Sequence, residues 1–354
     1  MKKKKQKDLK KKRRQERVRR QKHHEHVQLS RSLNDSAEPP DWEEELEEDT
    51  ELDSVFAPPP FLRFATERMN RAIARLVQQH NFETEEEVED FLNSRMGLDW
   101  QAMTQDLEPD PIEEAQELAF QAMEAEDPEE ALTLARRALE MDADCVDARV
   151  VVAETTARSA EEAIDQIALA VEAGERVLGR EFFEEQRGHF WGLVETRPYM
   201  RACASLAHLL LVTGQVPEAI RHFEEMLELN PNDNQGVRDS LLGAYLLTDN
   251  LEGANRLFEE YGDSECALFA WGRVLERFLA GEPQAAKKAL QKARRLNRHV
   301  EPYLAMRRPP PRSAPGYYSP GHETEAEYCV LELAFAWIAH PNAIEWLREL
   351  KGGV

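Results

Sequence analysis

The sequence predicts an all-α fold, a stack of about five helical hairpins, and three observations carry that expectation. Apolar residues recur at helical spacing through most of the chain. Small residues return with a period near 34 residues from residue 112 onward. Hydrophobic residues make up 42% and charged residues 32%, enough for a sizeable core beneath a well-solvated helical surface.

In a 34-residue helix-turn-helix repeat, small residues belong at positions 8, 20 and 27, where neighbouring helices approach closely, and a polar or proline turn belongs near 32. Residues 200–233 fit this template well. Leu206 and Ala207 fall at 7 and 8, Gly214 at the turn between helices, Ala219 at 20, Phe223 at 24 and Pro231 at 32, with Met226 replacing the small residue at 27. Residues 112–145 supply Leu118, Ala119, Ala131 and Ala138, with a polar turn at Asp142 to Asp144. From Val146 onward come Val152, Ala153, Ala163 and Ala170, with a shorter turn. Leu241, Tyr245, Ala254 and Phe258 mark a fourth hairpin ending at Tyr261. Trp271, Gly281, Ala286 and Ala293 mark a fifth, beginning near Glu265. Three such units suffice for a stable stack, so the expected fold is a tetratricopeptide-like, right-handed α-solenoid spanning residues 112–300.

The flanks read differently. Residues 1–60 have the composition of a disordered arm, basic and then acidic, because blocks of like charge lack the apolar side chains that offset ordering entropy. The first 22 residues hold fourteen Lys or Arg against Asp8 and Glu16, a net +12, which leaves −35 for the rest of a chain whose total is −23. Residues 61–105 read as a small helical unit. Phe61, Phe64, Met69, Ile73 and Val77 form a stripe in its first helix, and Thr84 three residues before Glu87 makes a capping box for a second. Residues 301–354 give a Pro-rich loop and an amphipathic helix pair, with Pro341 in a first helical turn, expected to cap the open end of the stack.

An aromatic-rich insertion at residues 175–199 interrupts the repeats. It brings His189, Trp191, Glu195, Arg197 and Tyr199 within eleven residues. His189 and Glu195 have the chemistry of an acid–base pair, and Arg197 that of a carboxylate or phosphate clamp. The structural reading is a rigid wedge between two halves of the stack, with Glu195 and Arg197 as an ion pair. No nucleophile or second carboxylate lies at a suggestive spacing, so no catalytic residue is assigned. Groove candidates for a bound peptide are His208, Arg238 and Tyr245. The inward positions near Ala204, Ser205 and His208 lack the Lys/Asn/Arg set of a carboxylate clamp.

Asn230, Asn232, Asp233 and Asn234 do not follow the acidic calcium-loop spacing and read as a polar turn. His23, His24 and His26 sit in the arm and are not assigned as a metal site. No cofactor is expected. Cys145, Cys203, Cys266 and Cys329 are scattered singly, which excludes a zinc knuckle and fits reduced thiols in the cytoplasm. No apolar run approaches the length of a membrane span, and the Lys-rich start lacks the apolar core of a signal peptide.

Several motifs are foreign to ordinary repeats of this type: GHFWGLVETRPYMRA at 188–202, LNPNDNQGVR at 229–238, NRHVEPYL at 297–304, and the tail elements YYSPG and AIEWL. On these the chain, from about residue 110 to its C-terminus, resembles the tetratricopeptide proteins related to the suppressor of tumorigenicity 7 protein, in their bacterial-type soluble form. The resemblance implies the repeat fold and no particular activity. Animal members are associated with membranes, a property that the absence of an expected spanning segment does not support here.

The functional expectation is a scaffold that binds a protein segment in the groove of the stack. An alternative is a nucleic-acid or ribosome-associated adaptor using Lys2, Lys3, Lys4, Lys5, Lys10, Lys11, Lys12, Arg13 and Arg14 against a polyanion, either nucleic acid or an anionic surface. The arm has no aromatic residues for stacking on bases, so such binding would be non-specific and salt-sensitive. A third reading is an enzyme centred on His189, Glu195 and Arg197.

Overall fold

The computed structural model describes residues 64–80, 82, 84–95, 104, 107–262, 266–313 and 315–350. The basic and acidic arm, with its lysines, arginines and histidines, lies outside the described residues. What is described is all-helical, with no strand among the described residues.

Ten helices pair into five hairpins, as the repeat spacing predicts. They are α3 (Pro111–Glu124) with α4 (Pro128–Met141), α5 (Val146–Thr156) with α6 (Ala160–Leu178), α8 (Arg197–Val212) with α9 (Val216–Leu229), α10 (Val237–Leu247) with α11 (Leu251–Tyr261), and α12 (Ala267–Leu279) with α13 (Pro283–Leu296). Two helices precede them, α1 (Ala65–Gln79) and α2 (Glu85–Arg95). The short α7 (Arg180–Gln186) lies within the insertion, and α14 (Val300–Leu304), α15 (Glu323–Ala339) and α16 (Pro341–Glu349) follow.

Local chemistry sets the boundaries. Asp110 and Asp127 each accept a hydrogen bond from a first-turn amide and are each followed by a proline, whose fixed φ suits the first helical position. Ser159 and Asn250 cap α6 and α11 in the same way. The capping box of α2 forms, with the Glu87 amide donating to Thr84 Oγ1 at 3.2 Å and the Thr84 amide to the Glu87 carboxylate at 3.4 Å. Gly214 and Gly281 turn the chain within the third and fifth hairpins at φ of 83° and 73°, where a side chain would be strained.

Each first helix packs on the first helix of the next hairpin, and each second helix also reaches the first helix of the next. The close approach runs through the small positions. Ala119, Ala138, Ala153, Ala170, Ala207, Ala219, Ala254, Ala286 and Ala293 are all fully buried. One continuous core runs from α5 to α16, and a smaller one joins α3, α4 and α5.

Two elements depart from expectation. α15 does not close the end of the stack but lies along the first helices α10 and α12, and on α14. The reason is steric as well as apolar: a Cβ at Gly243 would collide with the Glu332 carbonyl oxygen, so the two backbones meet at glycine distance. Ala326, Cys329, Val330, Leu333, Ala336 and Trp337 of α15 are buried. Likewise α1, expected within a separate unit ending at 105, lies against α3 and α8, and the described residues belong to one compact unit.

Candidate functional site

The insertion is organised by Phe190, which is fully buried. Its ring sits 4.9 Å from Phe183 and 6.2 Å from Tyr199, and Phe183 meets Tyr199 edge-on at 5.1 Å. These are favourable tilted and edge-to-face arrangements. Two short 3₁₀ turns, Phe190–Gly192 and Val194–Thr196, bracket the ring. They are tied by buried Thr196, whose hydroxyl donates to the Leu193 carbonyl at 2.7 Å and to that of Phe190. Tyr199 packs onto α6 where Gly174 leaves room, since a Cβ there would lie 2.9 Å from the tyrosine ring. Burial pushes the Tyr199 phenol well above its ordinary range, so it stays neutral. Burial likewise pushes the neighbouring Cys203 thiol up to about 12, so it packs as a small apolar group.

His189 and Glu195 are exposed on the outside of this wedge. The Glu195–Arg197 ion pair expected from sequence is not what holds Arg197. Its Nε donates to the Trp191 carbonyl at 3.2 Å, its guanidinium lies 5.3 Å from the centre of the Trp191 ring, and its carboxylate neighbour is Glu67 of α1 at 3.8 Å. Burial lowers the Arg197 pKa, partly offset by the field of Glu67.

Glu67 belongs to a buried ionic centre invisible in the local sequence. Arg201, one turn beyond Arg197 on α8, donates through both terminal nitrogens to Glu67 at 2.8 and 3.0 Å. It also donates to Asp147 of α5, at 2.9 Å through Nε and 2.5 Å through the terminal nitrogen. Asp147 is 1% exposed and also accepts from the Gln116 amide at 2.7 Å. Burial acts against the Arg201 charge, but the combined fields and hydrogen bonds of Asp147 and Glu67 outweigh it and hold the guanidinium firmly protonated. Phe64 stacks on Phe120 of α3 at 4.7 Å, and Arg201 lies over both rings at 5.4 and 5.8 Å. Farther along α1, Arg68 bonds Glu117 at 2.8 Å and Glu124 at 2.8 and 2.9 Å, and Arg71 bonds Glu113 at 2.7 and 2.9 Å.

The apolar stripe read from sequence is only partly the buried face of α1. Phe64 and the adjoining Leu76 are buried and Ile73 and Val77 are half-buried, but Met69 is 41% exposed and Glu67 is buried in its stead, because part of the surface beneath α1 is charged.

Farther along α8 the same face reaches α15 through α10. His208 Nδ1 lies 2.7 Å from the Ala204 carbonyl and Nε2 lies 3.0 Å from Ser240 Oγ, which donates to Glu332 of α15 at 2.7 Å. His208 is exposed on one side and bonded on the other. Between the two contacts, Ser205 donates to Glu154 of α5 at 3.3 Å. Arg238 lies over the Tyr261 ring at 5.3 Å and beside Asp233 at 3.7 Å. Tyr245, expected in the groove, is only 3% exposed, and its hydroxyl donates to Glu224 of α9 at 2.5 Å. It is a core residue, because its ring packs against Gly253 of α11 and its hydroxyl reaches α9. Half-buried Asp239 accepts from Tyr328 of α15 at 2.9 Å, and desolvation pushes its carboxyl up to about 6.

The Asn-rich turn closes on itself. Asp233, at φ of 47°, accepts from the amides of Val237 and Arg238 and so caps α10, as a polar turn should. No group of three metal-ligating side chains occurs among the described residues, and none of their helices is long and apolar enough to cross a membrane. Asn297, in the NRHVEPYL motif, is buried. Its amide donates to the His322 carbonyl at 2.7 Å and to Glu325 at 2.9 Å, pinning the loop before α15.

No family model matches the chain, and no curated protein matches it.

Proposed function

We propose that the protein is an interaction scaffold: a tetratricopeptide-like, right-handed α-solenoid, related to the suppressor of tumorigenicity 7 family and working in the cytoplasm, that holds helical protein segments on the face made by its first helices. One observation carries this reading. The face already binds two helices, α1 through Glu67, Arg68 and Arg71, and α15 through Tyr328 and Glu332. Polar side chains with defined partners, rather than a uniform apolar seam, select what lies there. The stretch between the two helices, with Glu154, Ser205 and His208, is the part left for a partner. No catalytic step belongs to the proposal.

The test is crosslinking in the native cells followed by identification of the attached proteins, with a Ser205→Arg/His208→Ala chain beside the wild type. A protein partner captured by the wild type and lost from the variant is expected. The same spectrum of proteins from both, or none from either, refutes the reading.

A second reading rests on the +12 charge of residues 1–22. The arm binds RNA while the hairpins bind protein. It predicts co-sedimentation with RNA that falls steeply with salt and disappears when residues 1–22 are deleted. Co-sedimentation unaltered by the deletion removes it.

A further inference from the structure

Beneath α1 lies a surface built before α1 arrives. Arg201 and Asp147 are held by each other and by Gln116, all within the hairpins. Glu113, Glu117, Phe120 and Glu124 stand on one face of α3, at the spacing that places residues three, four and seven apart side by side. The surface therefore presents a cationic centre, Arg201 with Arg197, next to an aromatic ring and then a row of three carboxylates. α1 complements it point by point. Phe64 meets the ring, Glu67 the cationic centre, and Arg68 and Arg71 the carboxylates. Full apolar burial at α1 is limited to Phe64, Ala72 and Leu76, with Ile73 and Val77 half-buried, so charge pairing decides what fits. Thirty-one residues separate Gln79, the last of α1, from Pro111, the first of α3, so α1 is tethered rather than wedged between hairpins.

We propose that this face is a docking site for a helix of defined pattern on a partner protein: an aromatic residue, a glutamate three positions later, and arginines four and seven positions later. In the free chain α1 occupies it in cis. The proposal rests on the scaffold reading and names one partner class for it. A tethered occupant acts at an effective concentration near the millimolar range, so a partner succeeds only by pairing better or by meeting a weakened α1. The centre is ionic and part-exposed at its rim, so exchange quickens with salt.

The experiment uses the full chain and a labelled peptide of residues 61–80 in wild-type sequence, read by fluorescence anisotropy at low ionic strength. Two variants each weaken α1 in cis and leave the face untouched: Phe64→Ala/Glu67→Lys and Arg71→Glu. Both are expected to bind the peptide at least about tenfold more tightly than the wild-type chain does, by the same effective-concentration argument. A peptide carrying Glu67→Lys is expected not to bind. If a variant unfolds, restoration of its helical circular dichroism by the wild-type peptide supports the proposal equally. Folded variants that ignore the peptide overturn it. So do unfolded ones that the peptide does not restore, since α1 is then an integral part of the core. Dimerisation of the variants with the peptide excluded also overturns it, by making a second copy the occupant. The assay needs no natural partner. Its failure beside successful crosslinking would leave the scaffold reading standing and move the partner to the Glu154–Ser205–His208 stretch.

Discussion

Replacing Arg201 by Met removes the one cation shared by two buried carboxylates while keeping much of the side-chain volume. Asp147, at 1% exposure in the first turn of α5, is left with only the neutral Gln116 amide, while Glu67 keeps Arg197 at 3.8 Å. The two penalties therefore differ. Stranding one member of a buried pair costs about 3–5 kcal/mol, and Asp147, with no cation left, should account for most of it; undocking of α1, which uncovers both carboxylates, sets the ceiling on the total. With a urea m-value of about 3 kcal/mol/M, a loss of about 4 kcal/mol lowers the midpoint by roughly 1.3 M. The assay is equilibrium unfolding in urea followed by helical circular dichroism. The neutral triple variant Arg201→Met/Asp147→Asn/Glu67→Gln should recover most of the loss, because no charge is then stranded. A shift below about 0.3 M for Arg201→Met, or no recovery in the triple variant, would refute the reasoning: the former corresponds to about 1 kcal/mol, the size of an exposed pair.

Other outcomes follow from single contacts. Phe190→Ala should cost about 3–5 kcal/mol in the same urea assay, because its fully buried ring is the centre of the wedge. Gly243→Ala gains about 1 kcal/mol of helix propensity yet should still destabilise, since the new methyl meets the Glu332 backbone, and buried Trp337 should report the displacement of α15 by a red-shifted emission. Asp239, raised to about 6 by burial, binds a proton in the folded chain more tightly than in the unfolded one. Its contribution is therefore fully present below the ordinary aspartate value and is lost as pH rises through about 6, by on the order of 3 kcal/mol. Asp239→Asn, which still accepts from Tyr328, should flatten the fall in stability between pH 4 and 7 in urea midpoints measured across that range.

The five hairpins were legible because their signal is steric and local. A helix that must approach another closely needs a small residue at a fixed place, and the alanines at those places are buried as the spacing requires. The capping box of α2 and the self-bonded turn at Asp233 were legible for the same reason, being pairs within a few residues. What the spacing could not show is pairing across the chain. Asp147 near the start of α5 reads as a favourable first-turn acid, and nothing nearby announces Arg201, 54 residues on. The apolar stripe of α1 misled at Met69 and missed Glu67, because periodicity assumes an apolar partner, and part of the partner surface is a row of carboxylates. α10 carried no face to read: residues 240–246 are all buried, since hairpins pack on one side of it and α15 on the other. One cue was available, the row Glu113, Glu117, Phe120 and Glu124 on one face of α3, too acidic for a core and too regular for chance.

The middle hairpin explains why α1 and α15 share one face. Along α8, Arg197 and Arg201 look to α1, Ser205 to α5, and His208 through Ser240 to α15. These positions fall four, four and three residues apart, a single stripe of one helix. A ligand on that stripe must therefore lie end to end with α1 and α15 or replace one of them. The two are not equally replaceable. α15 brings six buried apolar or thiol side chains and a glycine-distance backbone contact, whereas α1 brings three buried apolar or alanine positions and a set of ion pairs. Ion pairs of this kind contribute little net stability once part-solvated, while apolar burial contributes about 25 cal/mol per Å². Exchange on this face should begin at the α1 end, with α15 remaining in place.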